Sequence, residues 1–220
     1  MSELSENDLF EHLPNDSSDV LPVVRRSTYS AQPPYTVIYA DPPWSYNRGV
    51  YQDGEREERT LDEQYATMRQ DELESLGVRE IADKDCALFM WTTDSHLLDA
   101  LKLMRVWGFD YRTIAFIWVK RADTWQVEAT VGAWTMKNCE ICLLGVRGNM
   151  LQHKKVNNIY QVVESKRTKH SKKPNEVRRR IERLFGDVPR VELFARQASE
   201  GWACWGNEVQ SDIELRAVVL

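Results

Sequence analysis

Thr36-Val37-Ile38-Tyr39-Ala40-Asp41-Pro42-Pro43-Trp44-Ser45 is the pivot of this sequence. Val37, Ile38 and Tyr39 favour extended backbone, and with Ala40 they form a short apolar run of the kind a buried strand gives. The run stops at a carboxylate and two prolines, which have no N–H to continue a ladder. This order predicts Asp41 at the carboxyl end of a core strand, the edge at which open α/β sheets bind ligands. The rigid Pro42-Pro43 turn then delivers Trp44, with Tyr46 two residues on.

These residue types suit one demanding reaction, methyl transfer to the exocyclic amine of adenine. That nitrogen is a poor nucleophile because its lone pair is delocalised into the ring. The Asp41 carboxylate and the Pro42 carbonyl could accept its two hydrogens and stabilise the positive charge that grows as it reacts. Trp44 and Tyr46 could stack on a base drawn out of its helix. The same letters also suit a plain turn that ends a strand, with Trp44 in the core, and both readings stand at this point.

At 220 residues the chain has room for one full core, and 42% hydrophobic with 29% charged residues is ordinary globular composition. No apolar run is long enough to cross a bilayer. The acidic, polar N-terminus does not resemble a signal peptide, so a cytoplasmic location is expected. Cys86, Cys139, Cys142 and Cys204 sit among apolar residues and read as buried reduced thiols. Cys139-x-x-Cys142 lacks a second pair, and in a strand its two thiols would face opposite sides, so no metal site is expected.

The formal net charge is −5, but between Arg147 and Arg190 thirteen Lys and Arg stand against four acids. That basic stretch, 147–190, is a candidate phosphate-binding face or a solvated surface.

Along the chain, residues 1–34 read as an acidic, poorly structured leader, 35–209 as the domain, and 210–220 as a C-terminal tail. After Asp41, residues 46–60 read as a polar loop. A helix is predicted over Leu61 to Leu76 with Gly77 as its stop, and a strand over Cys86 to Thr92. Asp94 or Ser95 is expected to cap a helix that ends near Gly108. Strands follow at Tyr111 to Val119 and Cys139 to Val146. Pro174 then opens a helix that closes at Gly186, and short strands at Val191 to Phe194 and Trp202 to Trp205 finish the chain. Alternating strands and helices predict an α/β sheet covered on both faces. His96 reads as helix surface, Trp91, Trp118, Trp202 and Trp205 as core, and Trp125 and Trp134 as loop aromatics that shape a substrate channel.

The ordered series Asp41-Pro-Pro-Trp44, Gly132-Ala-Trp134, Cys142-Leu-Leu-Gly-Val-Arg-Gly148-Asn149, His170-Ser-Lys-Lys173-Pro174-Asn, Glu192-Leu-Phe-Ala-Arg196 and Trp205-Gly206-Asn207-Glu208 closely resembles the DPPW-type (MT-A) adenine-N6 methyltransferases. The resemblance spans about Tyr35 to Glu208. It implies a Rossmann-like, S-adenosylmethionine-dependent fold in permuted order, with the catalytic DPPW strand before the cofactor strand. It implies catalysis at Asp41, Pro42, Pro43 and Trp44. It places Lys173 at the donor's carboxylate, Arg196 in the cofactor loop, and Asn207 at the ribose hydroxyls. Glu208 stands where several relatives carry Gln. Glu192 is either a donor contact or half of a salt bridge, with Lys173 as the candidate partner. Glu140 aligns with an acid near the target base, and an arginine could equally satisfy it.

The substrate expected from the resemblance is adenine in nucleic acid, DNA first and RNA second, because the short chain carries no added RNA-binding module. A non-catalytic partner subunit and a small-molecule methyltransferase are the competing readings. A homodimer or a paired, similar subunit is the expected assembly.

Overall fold

The computed structural model describes residues 32–45, 49–52, 55–58, 67–132, 134–166 and 172–218. Strand β1, Tyr35–Ala40, is buried at every residue and lies inside a seven-stranded sheet. A two-stranded hairpin, β2 (Gly49–Gln52) and β3 (Glu55–Glu58), occupies part of the region expected to be loop. Helices α1 (Gln70–Glu74) and α2 (Val78–Ile81) follow, then β4 (Ala82–Thr92) and α3 (Leu97–Val106). The chain continues through β5 (Asp110–Arg121), β6 (Cys139–Arg147), β7 (Val162–Lys166) and α4 (Asn175–Phe185). It closes with β8 (Arg190–Leu193) and β9 (Ala203–Trp205).

The sheet order is β7-β5-β6-β4-β1-β8-β9. β1 runs parallel to β4 on one side and β8 on the other, and β9 extends the parallel set. β6 alone is reversed, lying antiparallel to both β4 and β5, while β7 is parallel to β5. One edge therefore gathers the carboxyl ends of six strands and the amino end of β6. β1 has neighbours reached by connections on opposite sides, so its carboxyl end is a switch point where a crevice opens.

Alternation along β1 divides the core. Ile38 and Ala40 face α3, where Ala100, Leu103, Met104 and Trp107 pack. Val37 and Tyr39 face α4 with Val177, Ile181 and Phe185, together with Phe89, Trp91, Phe116 and Trp118. Asp41 continues the Val37–Tyr39 face by the two-residue period of a strand. The predicted α/β sheet with helices on both faces is the architecture found.

Several local expectations are corrected. Gly77 is the N-cap of α2 rather than a stop, and it donates to the Arg216 carbonyl. Within the described part of the predicted helix over 61–76, α1 covers only Gln70–Glu74, and 61–66 lie outside the described residues. Neither Asp94 nor Ser95 caps α3, which a 3₁₀ turn over Asp94–His96 precedes. β7 falls inside the basic stretch, where its polar sequence at a sheet edge hid it. Cys139 is exposed, whereas Cys86, Cys142 and Cys204 are buried. Beyond 209, Ile213 is buried and Ala217 bridges to Leu76, so this part lies against the body.

No helix among the described residues is long and apolar enough to cross a membrane. Among them there is also no group of three or more His, Cys, Asp or Glu placed to hold a metal ion.

Candidate active site

Four charged side chains alternate in sign across the crevice edge. The Lys173 ammonium lies 2.8 Å from each oxygen of Asp41. It also lies 3.1 Å from one oxygen of Glu140, whose other oxygen is 2.5 Å from Lys120. Asp41 is the most open member, with 28% of its side chain exposed, against 12% for Lys173 and 10% for Glu140. The backbone explains the convergence. Asp41 follows β1, Lys120 ends β5, Glu140 begins the reversed β6, and Lys173 precedes the start of α4. Glu140 pairs across the ladder with Trp118, so Lys120, two residues on from Trp118, reaches it diagonally on the same face.

Burial sets the titration of this cluster, and the neighbours reverse its effect. Burial alone would push the Glu140 carboxyl up, but Lys173 and Lys120 hold it below the ordinary range. Burial would likewise lower the Lys173 ammonium, yet Asp41 and Glu140 raise it. Both groups are therefore ionised at neutral pH. Lys173 also lies 5.6 Å above the Trp91 ring, whose indole N–H donates to the Tyr39 hydroxyl at 2.6 Å.

The residues after Asp41 are tied down. The Trp44 N–H donates to the Pro42 carbonyl at 2.9 Å, which fixes that carbonyl and leaves it one lone pair. Trp44 is buried, its indole N–H donates to the Trp91 carbonyl, and its ring stacks on His96 at 5.7 Å. One face of Trp44 is therefore already covered, which corrects the expectation of an open stacking platform. His96 is buried beside Ser45 rather than lying on the helix surface. Tyr46 and His170 lie outside the described residues.

The alternative partners proposed for two acids are also corrected. Glu192 pairs with Arg178 at 2.5 Å, not with Lys173, and Arg178 also holds Asn175. Burial raises the Glu192 carboxyl above its usual range, and Arg178 opposes that shift. Glu140 is satisfied by two lysines instead of an arginine. Trp134 is 98% exposed, so it walls no channel in this conformation. Beyond β8 and β9, Arg196, Asn207 and Glu208 sit exposed at the same edge, with the Arg196 Nε 3.7 Å from Glu208.

Much of the basic stretch is spent inside the protein. Arg178 and Arg190 are buried, Arg190 holding the Gly186 and Gly201 carbonyls. Arg180 donates to the Tyr160 and Val162 carbonyls, and Arg147 to that of Arg79. Lys154, Lys155 and Arg179 remain exposed. Lys120 was not legible as part of the site, because a lysine at a strand end carries no signal until the strands are paired.

A mixed sheet with one reversed strand and a charged crevice at its switch point defines a Rossmann-like α/β protein. Residues 35–208 match MT-A70, and the chain belongs to that family. It is 33% identical over 207 residues to the type II methyltransferase M.MunI of a Mycoplasma species, covering 89% of this chain and 84% of that protein. It is 30% identical over 179 residues to a probable N(6)-adenosine-methyltransferase of rice, Oryza sativa. It is 29% identical over 180 residues to the human N(6)-adenosine-methyltransferase catalytic subunit METTL3. Those two matches take in 80% of this chain but only 23% and 28% of the relatives' own lengths. All three relatives are named as methyltransferases.

Proposed function

We propose that the protein methylates the exocyclic N6 amine of adenine in nucleic acid, with DNA as the substrate and RNA as the second reading. The observation that carries this is Asp41, an accessible carboxylate at the switch-point edge, held against Lys173 and followed by a turn-fixed carbonyl at Pro42. Asp41 and Pro42 accept the two amine hydrogens, orient the nitrogen lone pair and favour the charge that develops on it. Pro43 and Trp44 keep that turn rigid, and Tyr46 supplies a base-stacking ring. The proton leaves after transfer, because the amine is too weak an acid to lose it first.

The donor set fits S-adenosylmethionine, which when bound supplies an electrophilic methyl group on a positively charged sulfur. Lys173 offers an ammonium for its carboxylate, while Asn207 and Glu208 offer an amide and a carboxylate for a diol. Arg196 closes the same loop, and Glu192 braces the floor from β8 through its pair with Arg178. Glu140 completes the substrate side from within the charged cluster.

What supports DNA is the extent of similarity. The match to the type II methyltransferase runs along 84% of that protein, whereas the N(6)-adenosine-methyltransferases share about a quarter of theirs. Arg179 stays exposed on α4 and available for phosphates, so affinity should fall with salt. We propose either a homodimer or a pairing with a similar subunit as the working assembly.

The test is methyl transfer from labelled donor to DNA and RNA oligonucleotides, with the modified position read by mass spectrometry. Label at N6 of adenine in DNA is the expected result. Donor binding without transfer to either polymer would instead point to the partner-subunit reading, and methylation of free adenosine to a small-molecule enzyme.

A further inference from the structure

Glu140 is a carboxylate at the start of an inner strand, with only 10% of its side chain exposed. Such a group is costly unless both oxygens are satisfied. Each of its oxygens has its own ammonium, Lys120 at 2.5 Å and Lys173 at 3.1 Å. Lys173 in turn has three N–H donors and three acceptor oxygens around it, two from Asp41 and one from Glu140. Its position is thus a balance between two acids on opposite sides. Lys120 is anchored independently, reaching from β5 with its ammonium 5.2 Å above the Trp118 ring.

We infer that Lys120 is a positioning residue for methyl transfer, fixing the Glu140 carboxylate so that Lys173 is held beside Asp41 rather than drawn away from it. The inference rests on the reading of Asp41 and Lys173 as the reacting site. Without Lys120, both Glu140 oxygens are free to turn to Lys173 and pull the ammonium off Asp41. That pull ends once Glu140 takes up a proton and stops attracting Lys173. Burial already works toward that protonation, and Lys120 is one of the two cations opposing it.

Among the described residues, the charged groups around Glu140 are few. Lys120 faces it from β5 and Lys173 from the segment ahead of α4, with Asp41 of β1 beyond Lys173. The end of β4 contributes only the uncharged Trp91 and Thr92. The Arg178–Glu192 pair lies on β8 and α4, past Asp41. Removing Lys120 therefore leaves Lys173 as the one cation paired with Glu140 among the described residues, and the group must titrate at higher pH than before.

The experiment measures kcat and KM for the full chain on a DNA oligonucleotide from mildly acid to alkaline pH, in wild type, Lys120→Met and Lys120→Arg. Lys120→Met should lower kcat about tenfold or more at neutral pH with KM changed less than about threefold. The deficit should shrink as pH falls, because a protonated Glu140 no longer pulls on Lys173, and Lys120→Arg should recover most of the activity. Adding Lys120→Met to Glu140→Gln should cost nothing further, because the effect travels through Glu140. A Lys120→Met enzyme with the wild-type pH profile overturns the inference. So does a loss that is equal at every pH and not rescued by arginine. If Lys120→Met does not fold, additive losses in Lys120→Arg and Glu140→Gln do the same. An inactive wild type that transfers no methyl group to any polymer would strike the functional reading itself, a separate result.

Discussion

The Lys173 ammonium bridges both oxygens of Asp41 at 2.8 Å, although the two residues stand 132 positions apart in sequence. The contact ties the end of the first strand to the segment before the last helix. It also means that the Asp41 carboxylate, the proposed acceptor for the amine, is paired with an ammonium from across the fold.

Asp41→Asn tests that carboxylate while keeping its shape. The amide still accepts one hydrogen from an amine but loses the charge that stabilises the developing ammonium. The expected result is kcat lower by about 10²–10³-fold, with donor affinity within a few-fold of wild type by calorimetry. A variant retaining activity within a few-fold would remove Asp41 from the chemistry.

Arg178→Met tests the second buried pair. Glu192 would remain in the interior with its ion partner Arg178 gone and burial already raising its carboxyl. Stranding one partner of such a pair costs about 3 kcal/mol. For a domain of this size that lowers the melting temperature by about 6–12 °C. Replacing both residues, as Arg178→Met with Glu192→Leu, should recover much of that loss, because no stranded charge is left. Scanning calorimetry of the three proteins decides it.

The fold was legible where pattern and period agree. The apolar run into Asp41-Pro-Pro, the apolar strand before Thr92 and the helix closed by Gly186 with φ of 71° all follow from local chemistry. The site was legible in part. A carboxylate after an apolar run predicts Asp41 at the carboxyl end of a core strand, and the structure puts it there. The partners of Glu140 and Glu192 were not legible, since they depend on β6 being reversed and on α4 crossing β8. Trp44 and His96 were misread for a related reason. Nothing in their own surroundings announces that a residue of the turn and a residue of the 3₁₀ segment meet ring to ring.

Glu140 also makes a pH prediction with a definite sign. Its carboxyl is held below the ordinary 4.5, so its contribution to folding is present above that value and is lost as pH falls through the lowered folded value. Lys173 is raised above the ordinary 10.5, so its own contribution persists through neutral pH and is lost at the alkaline end. Glu140→Gln leaves Lys120 and Lys173 short of an acid and should cost about 2–3 kcal/mol at neutral pH, allowing for Lys120 being partly open. Urea denaturation of both proteins should give a difference that is constant down to about pH 5 and shrinks below it. A difference that grows on acidification would contradict the pairing.

Gly206→Ala tests the loop proposed to hold the donor apart from the carboxylate proposed to react. A methyl group on Gly206 would lie 2.2 Å from the Ala195 carbonyl oxygen and 2.7 Å from its nitrogen, both backbone atoms. Ala195 also donates to the Trp205 carbonyl at 2.9 Å, so the segments after β8 and β9 run backbone against backbone here. Neither can yield by turning a side chain, and the added carbon must push the two apart. Arg196 follows directly on one segment and Asn207 on the other. Overpacking of this kind costs about 1–3 kcal/mol. The separation should weaken binding of S-adenosylhomocysteine by about tenfold or more, since a displacement near 1 Å costs up to about 10² in a positioned site. Asp41 and Lys173 are carried by β1 and the segment before α4, so kcat at saturating donor should fall much less than donor affinity. An unchanged dissociation constant, with only the melting temperature lowered, would show that Arg196 and Asn207 do not hold the donor.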